Sequence, residues 1–98
     1  MFTVIRDAIR RRHLLLINYD PGHRIVEPHA FGESKDGNQL LRAFQVSGAS
    51  LSNEHVNWKL FRVDRAISIS LHTETFNGPR PDYNRDDKAM KGRIIEQL

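Results

Sequence analysis

The chain has 98 residues, the size of one small domain, and its apolar fraction of 39% is sufficient for a single modest core. It contains no cysteine, which excludes disulfide bonds and thiolate metal sites. The net charge of +3 favours an anionic partner, and the excess comes from clustered arginine. No stretch has the apolar length of a signal or membrane segment, so we expect a cytoplasmic protein.

The first predicted element is a helix over residues 3–12. Phe2, Ile5 and Ile9 recur at helical spacing and form one apolar face. Arginines at 10–12 follow them, where cations suit the negative end of the helix dipole. A basic cluster at this position is typical of a solvated helix end, and a nucleic-acid contact is the alternative.

Five short strands are predicted after the helix, because apolar runs alternate with turn residues. Asp20-Pro21-Gly22 and Asp36-Gly37 are strong turn signals, and residues 47–57 form a polar loop without periodicity. Pro28 must lie at a sheet edge or a bulge, since it has no N–H to donate. The predicted strands cover residues 14–19, 24–31, 39–46, 58–63 and 66–71.

A C-terminal extension of different character is predicted over residues 76–98, after a domain spanning residues 1–75. Residues 78–81 contain two prolines and should be extended, and residues 84–87 lead into a final short helix. Met90, Ile94 and Leu98 lie at helical spacing within it. We expect the extension to pack on its own domain or on a neighbouring copy.

The element order predicts a mainly β fold with one N-terminal helix. Five short, turn-separated strands are typical of a strongly bent small barrel of the Sm-like or SH3-like type. The predicted class is therefore an N-terminal helix, a five-stranded small barrel and an extended C-terminal tail that ends in a short helix.

Four blocks of the sequence, in their order and spacing, resemble the WYL domain family over residues 4 to about 71. They are Ala-Ile-Arg-Arg-Arg at 8–12 leading into Leu-Ile-Asn-Tyr at 16–19, Arg-Ile-Val-Glu-Pro-His-Ala-Phe-Gly at 24–32, Leu-Arg-Ala-Phe at 41–44 and Trp-Lys-Leu-Phe-Arg-Val-Asp-Arg at 58–65. The motif that names the family, Trp-Tyr-Leu, is replaced by Gln39-Leu40-Leu41. The aromatic contribution of that motif to a ligand site is therefore lost.

The resemblance implies an Sm-like fold and a ligand-sensing regulatory role. WYL domains are usually attached to a winged helix-turn-helix and act in transcription control and in defence against phage. Nucleotides and single-stranded nucleic acid are the ligand classes that the resemblance implies. The chain carries no helix-turn-helix pattern, so we expect a stand-alone member.

Period-two alternation places candidate ligand-binding residues on one face of two strands. Arg42 and Phe44 share a face of the third strand, and Trp58 and Arg62 share a face of the fourth. If these strands are neighbours, the two arginines can converge on phosphate while a base stacks on a ring. The alternative for Arg62 is an ion pair with Asp64 or Glu27.

Two further residues are predicted to complete the rim of this site. His29 could donate to a phosphate or sugar, and its charge can change near neutral pH. The alternative for His29 is that it caps a local backbone group beside Pro28. Arg65 follows the fourth strand and adds a cation. The predicted ligand-binding set is His29, Arg42, Phe44, Trp58, Arg62 and Arg65.

Catalytic and metal-binding patterns are absent from the sequence. It has no glycine-rich phosphate loop and no nucleophile elbow, and its histidines lack metal-ligand spacing. We therefore expect a non-catalytic protein without a metal or cofactor, which senses a nucleotide or single-stranded nucleic acid. The alternative is a protein interaction or homo-oligomerisation module in a transcription-regulatory or phage-defence system.

Overall fold

A computed structural model describes residues 1–98 as one helix and six strands. The helix α1 spans Phe2–Arg11, and a single 3-10 turn at Val63–Arg65 follows the fourth strand. The protein has no helix that is long and apolar enough to cross a membrane. The strands are β1 His13–Tyr19, β2 Gly22–Glu33, β3 Gln39–Gly48, β4 Asn57–Arg62, β5 Ser68–Thr75 and β6 Arg93–Gln97.

All six strands belong to one antiparallel sheet with β2 at its centre. The strand order is β4-β3-β2-β1-β5, and β6 pairs with β2 outside this path. β1 pairs with the first part of β2 and β6 pairs with its last part, on the edge that β1 leaves free. β4 and β5 do not pair with each other, so the sheet is not closed.

The main core lies between α1 and one face of this sheet. Ile5 and Ile9, from the predicted apolar face of α1, are almost completely buried against it. Leu41 and Ala43, alternate residues of β3, and Phe61 of β4 point into the same core. The buried cluster comprises Ile5, Ala8, Ile9, Leu15, Ile17, Val26, Phe31, Leu41, Ala43, Phe61 and Val63.

The mainly β architecture with an N-terminal helix is confirmed, and each of the five predicted strands is present with shifted ends. Pro28 lies at a bulge, because the register between β2 and β3 shifts between Pro28 and Ala30. The sheet has six strands rather than five and is open. Its identity as an Sm-like or SH3-like barrel stays a prediction.

The prediction of a final helix is wrong. Residues 76–92 are irregular, and the chain then forms β6 instead of a helix. The backbone of β6 satisfies the part of β2 from Ala30 to Glu33 that β1 does not reach. Gly92 and the β-branched pair Ile94 and Ile95 also favour a strand over a helix.

Candidate ligand-binding face of the sheet

The candidate residues lie on the side of β2, β3 and β4 that is turned away from α1, which we call the outer face. Phe44 is the register partner of Glu27 on one side and of Trp58 on the other. These three side chains therefore form one row across the three strands. Phe44 and Trp58 also contact each other edge to face, with ring centroids 5.5 Å apart.

Arg42 and Arg62 share the outer face, as the period-two pattern predicts. Arg42 lies opposite Leu60, and Arg62 lies opposite Leu40. The two arginines are therefore diagonal neighbours on adjacent strands, within reach of long side chains. The two arginines are therefore neighbours, as the sequence pattern predicts, but each guanidinium already forms an ion pair with a carboxylate of the chain.

Residues 76–92, which we call the strap, run across the outer face. Met90 is buried in a small second cluster with Ala30 and Leu40, at one end of the crossing. The strap contributes rings and charges that no pattern in the sequence marks as part of a site. The Pro-Arg-Pro sequence at 79–81, which predicts an extended chain, is the only local signal for this crossing.

Arg42 binds the strap residue Asp87. Its Nε donates to Oδ2 at 2.7 Å, and the Asp87 carboxylate also accepts from the N–H of Ala89 at 2.9 Å. Burial opposes ionisation of Asp87, but the hydrogen bonds from Arg42 and Ala89 outweigh it, so the pKa of Asp87 lies below its usual value. The pair is partly buried, since Asp87 is only 12% exposed.

Arg62 forms the local ion pair that the sequence left open as an alternative. Its Nη2 donates to Oδ2 of Asp64 at 2.7 Å and to Oδ1 of Asn38 at 3.3 Å. Asp64 is exposed, and its hydrogen bond with Arg62 lowers the pKa of its carboxyl. Arg65 is exposed in the 3-10 turn beyond the end of β4.

His29 lies at the bulge of β2 and is completely buried. Its Nδ1 lies 2.8 Å from the carbonyl oxygen of Glu27, and its Nε2 accepts the backbone N–H of Arg80 at 3.1 Å. Desolvation by burial lowers the pKa of His29, and the nearby Arg80 charge acts in the same direction. Both ring nitrogens are therefore occupied by protein groups.

Aromatic rings from the sheet and the strap enclose His29. Trp58 lies 4.7 Å from its ring centroid, Tyr83 lies 5.0 Å away and Phe76 lies 5.7 Å away. Tyr83 is also stacked on Trp58, with an interplanar angle of 24° and centroids 6.2 Å apart. The strap thus covers one part of the Trp58 ring with an aromatic ring of its own.

Arg80 of the strap binds the two remaining members of the sheet row. Its Nε and Nη2 donate to the two carboxylate oxygens of Glu27 at 2.8 and 3.1 Å. Its guanidinium also lies over the Phe44 ring, 4.0 Å from the centroid. Phe44 is therefore covered by a cation that belongs to the chain.

An open cleft of about 630 Å³ lies between the sheet and the strap. Arg42 and Trp58 line it from the sheet, and the strap supplies three acidic residues and the cations Arg85 and Lys88. Arg85 donates to the carbonyl oxygen of Leu98, whereas Lys88 is exposed. The lining residues are Arg42, Trp58, Asp82, Tyr83, Asn84, Arg85, Asp86, Asp87 and Lys88.

Comparisons of the chain with family models, with curated proteins and with solved structures give no significant match. No group of three or more histidine, aspartate or glutamate side chains is placed to hold a metal ion. The cleft is lined by the ring of Trp58, by the guanidinium of Arg42 in its pair with Asp87, and by the exposed cation Lys88.

Proposed function

We propose that the protein is a non-catalytic regulatory domain that binds an anionic ligand, a nucleotide or a single-stranded nucleic acid, on the outer face. The observation that carries this proposal is the position of Arg42 beside Trp58 in one open cleft. A guanidinium and an indole ring side by side suit a ligand that combines phosphate with a flat base. Arg42 binds the phosphate, and the base stacks on Trp58.

The resemblance to the WYL family supports a sensing role. Its four sequence blocks coincide with the end of α1 and with β1 to β4, which include the three strands of the outer face. A helix followed by five antiparallel strands is also compatible with an Sm-like architecture. We therefore propose a WYL-like domain that acts in transcription control or in phage defence.

The other predicted site residues differ in how they serve this proposal. Arg62 lies diagonally from Arg42, and its exposed partner Asp64 can be exchanged for a second phosphate of a longer ligand. Arg65 adds a cation in the 3-10 turn beyond β4. His29 supports Trp58 from within the fold, and Phe44 is covered by Arg80.

Binding of a fluorescein-labelled oligothymidylate at low and at near-physiological salt tests the proposal. We expect binding at low salt that weakens as salt rises, because contacts to phosphate release counterions. The double variant Arg42→Gln with Arg62→Gln should bind at least about tenfold more weakly, since each charged hydrogen bond contributes about 1.5–3 kcal/mol.

A matched control separates the site from overall charge. Arg11→Gln with Lys91→Gln removes the same two charges from exposed positions that have no side-chain partner. This control should retain most of the affinity. Absence of binding at low salt by both the oligothymidylate and a labelled nucleotide, or equal losses in the two double variants, would contradict the proposal.

Homo-oligomerisation is a second candidate function, and the edges of the sheet favour it. β4 pairs only with β3, and β5 pairs only with β1, so each has an unpaired edge. Three large apolar side chains on or beside these strands are exposed: Leu60, Ile67 and Leu71. Unpaired antiparallel edges with apolar side chains favour addition of a strand from another copy.

A further inference from the structure

The strap already occupies two contacts that the ligand would make in the cleft of the outer face. Asp87 places a carboxylate on Arg42, where the proposed phosphate would lie. Tyr83 stacks on Trp58, where the proposed base would lie. The two groups are four residues apart in one chain segment, so a single movement of that segment would release both.

We propose that the strap is an internal competitor of the ligand, and that Asp87 and Tyr83 must leave Arg42 and Trp58 before an anionic, ring-bearing ligand binds. This inference rests on the proposed function and adds its regulation. The same two chemical groups, a negative oxygen pair and a flat ring, are offered by the strap and by a nucleotide. Binding is therefore an exchange of one for the other.

The two ends of the strap are fixed by contacts other than those of Arg80, Tyr83 and Asp87, which lie in its middle. At its start, the N–H of Phe76 donates to the carbonyl oxygen of Arg12 at 2.9 Å, and the Arg12 guanidinium binds the carbonyl oxygen of Asn77 at 3.0 Å. At its end, Met90 is buried and the N–H of Gly92 donates to the carbonyl oxygen of Glu33. Displacement of the segment between these ends breaks the side-chain hydrogen bonds of Arg85 and Asp86 to Leu98 and Gln97, but it leaves the backbone pairing of β6 with β2 in place.

The middle of the strap is held mainly by side chains. Its backbone-to-backbone hydrogen bonds are local turns, from Tyr83 to Arg80 and from Met90 to Asp87. It forms no strand pairing with β3 or β4. It is attached to the sheet by the ion pairs of Arg80 and Asp87, the ring contacts of Tyr83 and two hydrogen bonds to His29, from the Arg80 N–H and the Tyr83 hydroxyl. Arg85 and Asp86 also form hydrogen bonds with Leu98 and Gln97. Such contacts can exchange with a ligand without unfolding the sheet.

Asp87→Asn in the full chain tests the exchange with the same labelled oligothymidylate. The substitution removes the charge that binds Arg42 but keeps an oxygen for the N–H of Ala89. If the strap is displaced in about one molecule in ten before binding, opening it tightens the apparent affinity about tenfold. Tyr83→Leu removes the ring stacked on Trp58 and should also tighten the apparent affinity. It replaces Asp87→Asn in the experiment if that variant folds poorly.

Asp82→Asn is the matched control for charge. Asp82 lines the same cleft, is exposed and forms no hydrogen bond or ion pair with Arg42. Asp82→Asn changes the net charge by the same amount but leaves Asp87 on Arg42. The affinity for the oligothymidylate should therefore change by less than about twofold. Equal tightening by Asp82→Asn and Asp87→Asn would overturn the inference, because charge alone would then explain both.

Trp58 provides a measurement that needs no ligand, since it is the only tryptophan of the chain. Quenching of its fluorescence by acrylamide should increase in Asp87→Asn and remain unchanged in Asp82→Asn. If the wild type and Asp87→Asn bind the oligothymidylate with equal affinity, the strap does not compete with the ligand. The proposed binding function is then unaffected. If no variant binds it or a labelled nucleotide, the binding function fails and the inference fails with it.

Discussion

At the scale of single residues, His29 is held in its neutral form mainly by burial, because desolvation disfavours the charged imidazolium and lowers the pKa of its ring. The carbonyl oxygen of Glu27 requires a proton on Nδ1, and the N–H of Arg80 requires a bare Nε2. A second proton would place two N–H groups against each other, beside the positive charge of the Arg80 guanidinium. The fold therefore binds this proton less readily than the unfolded chain does.

This difference predicts that stability falls in mild acid. The ordinary pKa of histidine is 6.5, and that of His29 is lower in the fold. Well above pH 6.5 the imidazole is neutral in both states. As the pH drops below that value the unfolded chain takes up the proton first, so stability decreases, by at most about 1.4 kcal/mol per pH unit, until His29 in the fold is protonated too.

Urea denaturation at a series of pH values between about 7.5 and about 5 measures this slope. His29→Gln should be less stable at neutral pH and should have a flatter profile. His23→Gln removes an exposed histidine and should keep the wild-type slope. A profile that is equally steep in His29→Gln would show that other groups cause the loss.

Local pairs at the candidate site could be predicted from the sequence, and distant pairs could not. Arg62 binds Asp64 two residues away, which period two and opposite charge indicate directly. The partner of Arg42 is Asp87, 45 residues later in a segment without periodicity. Nothing in the spacing connects these two, because the crossing of the strap is a product of tertiary packing.

At the scale of elements, β6 illustrates the limit of periodicity. Met90, Ile94 and Leu98 are spaced as on a helix, yet they end in different surroundings. Met90 packs in the second cluster, whereas Leu98 packs against the main core. The strand forms because β2 is longer than β1 and leaves backbone groups unpaired near Phe31. These unpaired groups of β2 lie more than 50 positions before β6 in the chain, so no local pattern in the sequence indicates the pairing.

The close contact of β2 with β6 predicts a steric effect at Gly32. A Cβ at this position would fall on the carbonyl oxygen of Arg93 and press on the side chain of Met90. Gly32→Ala should therefore destabilise the protein by about 1–3 kcal/mol, as overpacked substitutions do. The free energy of unfolding in urea, with tryptophan fluorescence as the signal, measures the change.

Gly22→Ala is the control for this substitution. Gly22 also belongs to β2, and its added Cβ would meet only the Cβ of Ala49 at an ordinary 3.4 Å. It should change stability by less than about 1 kcal/mol, since replacing glycine also restricts the unfolded chain. A similar loss in both variants would mean that the approach of β6 is not what limits Gly32.

At the scale of the whole molecule, the last 23 residues join the two sides of the sheet. The strap covers the outer face. On the other side, Arg10 Nε of the helix donates a hydrogen bond of 2.8 Å to the carboxylate of Glu96 in β6. Arg6 lies 3.5 Å from the same carboxylate. Part of the basic cluster of α1 therefore fixes the C-terminal strand, rather than standing free for a partner.

Because the C-terminal segment packs on its own chain, the edges of β4 and β5 are the surfaces that we propose for self-association. Ile67 is 72% exposed beside β5, and Leu51 is 75% exposed in the loop before β4. If β5 adds a strand from another copy, Ile67→Lys opposes that addition, because it places a charge where an apolar side chain would be buried. Light scattering at rising concentration should give a mass above 11.4 kDa for the wild type and for Leu51→Lys, and a mass near 11.4 kDa for Ile67→Lys. A wild-type chain that stays at the mass of one copy throughout would leave the outer face, not the sheet edges, as the functional surface.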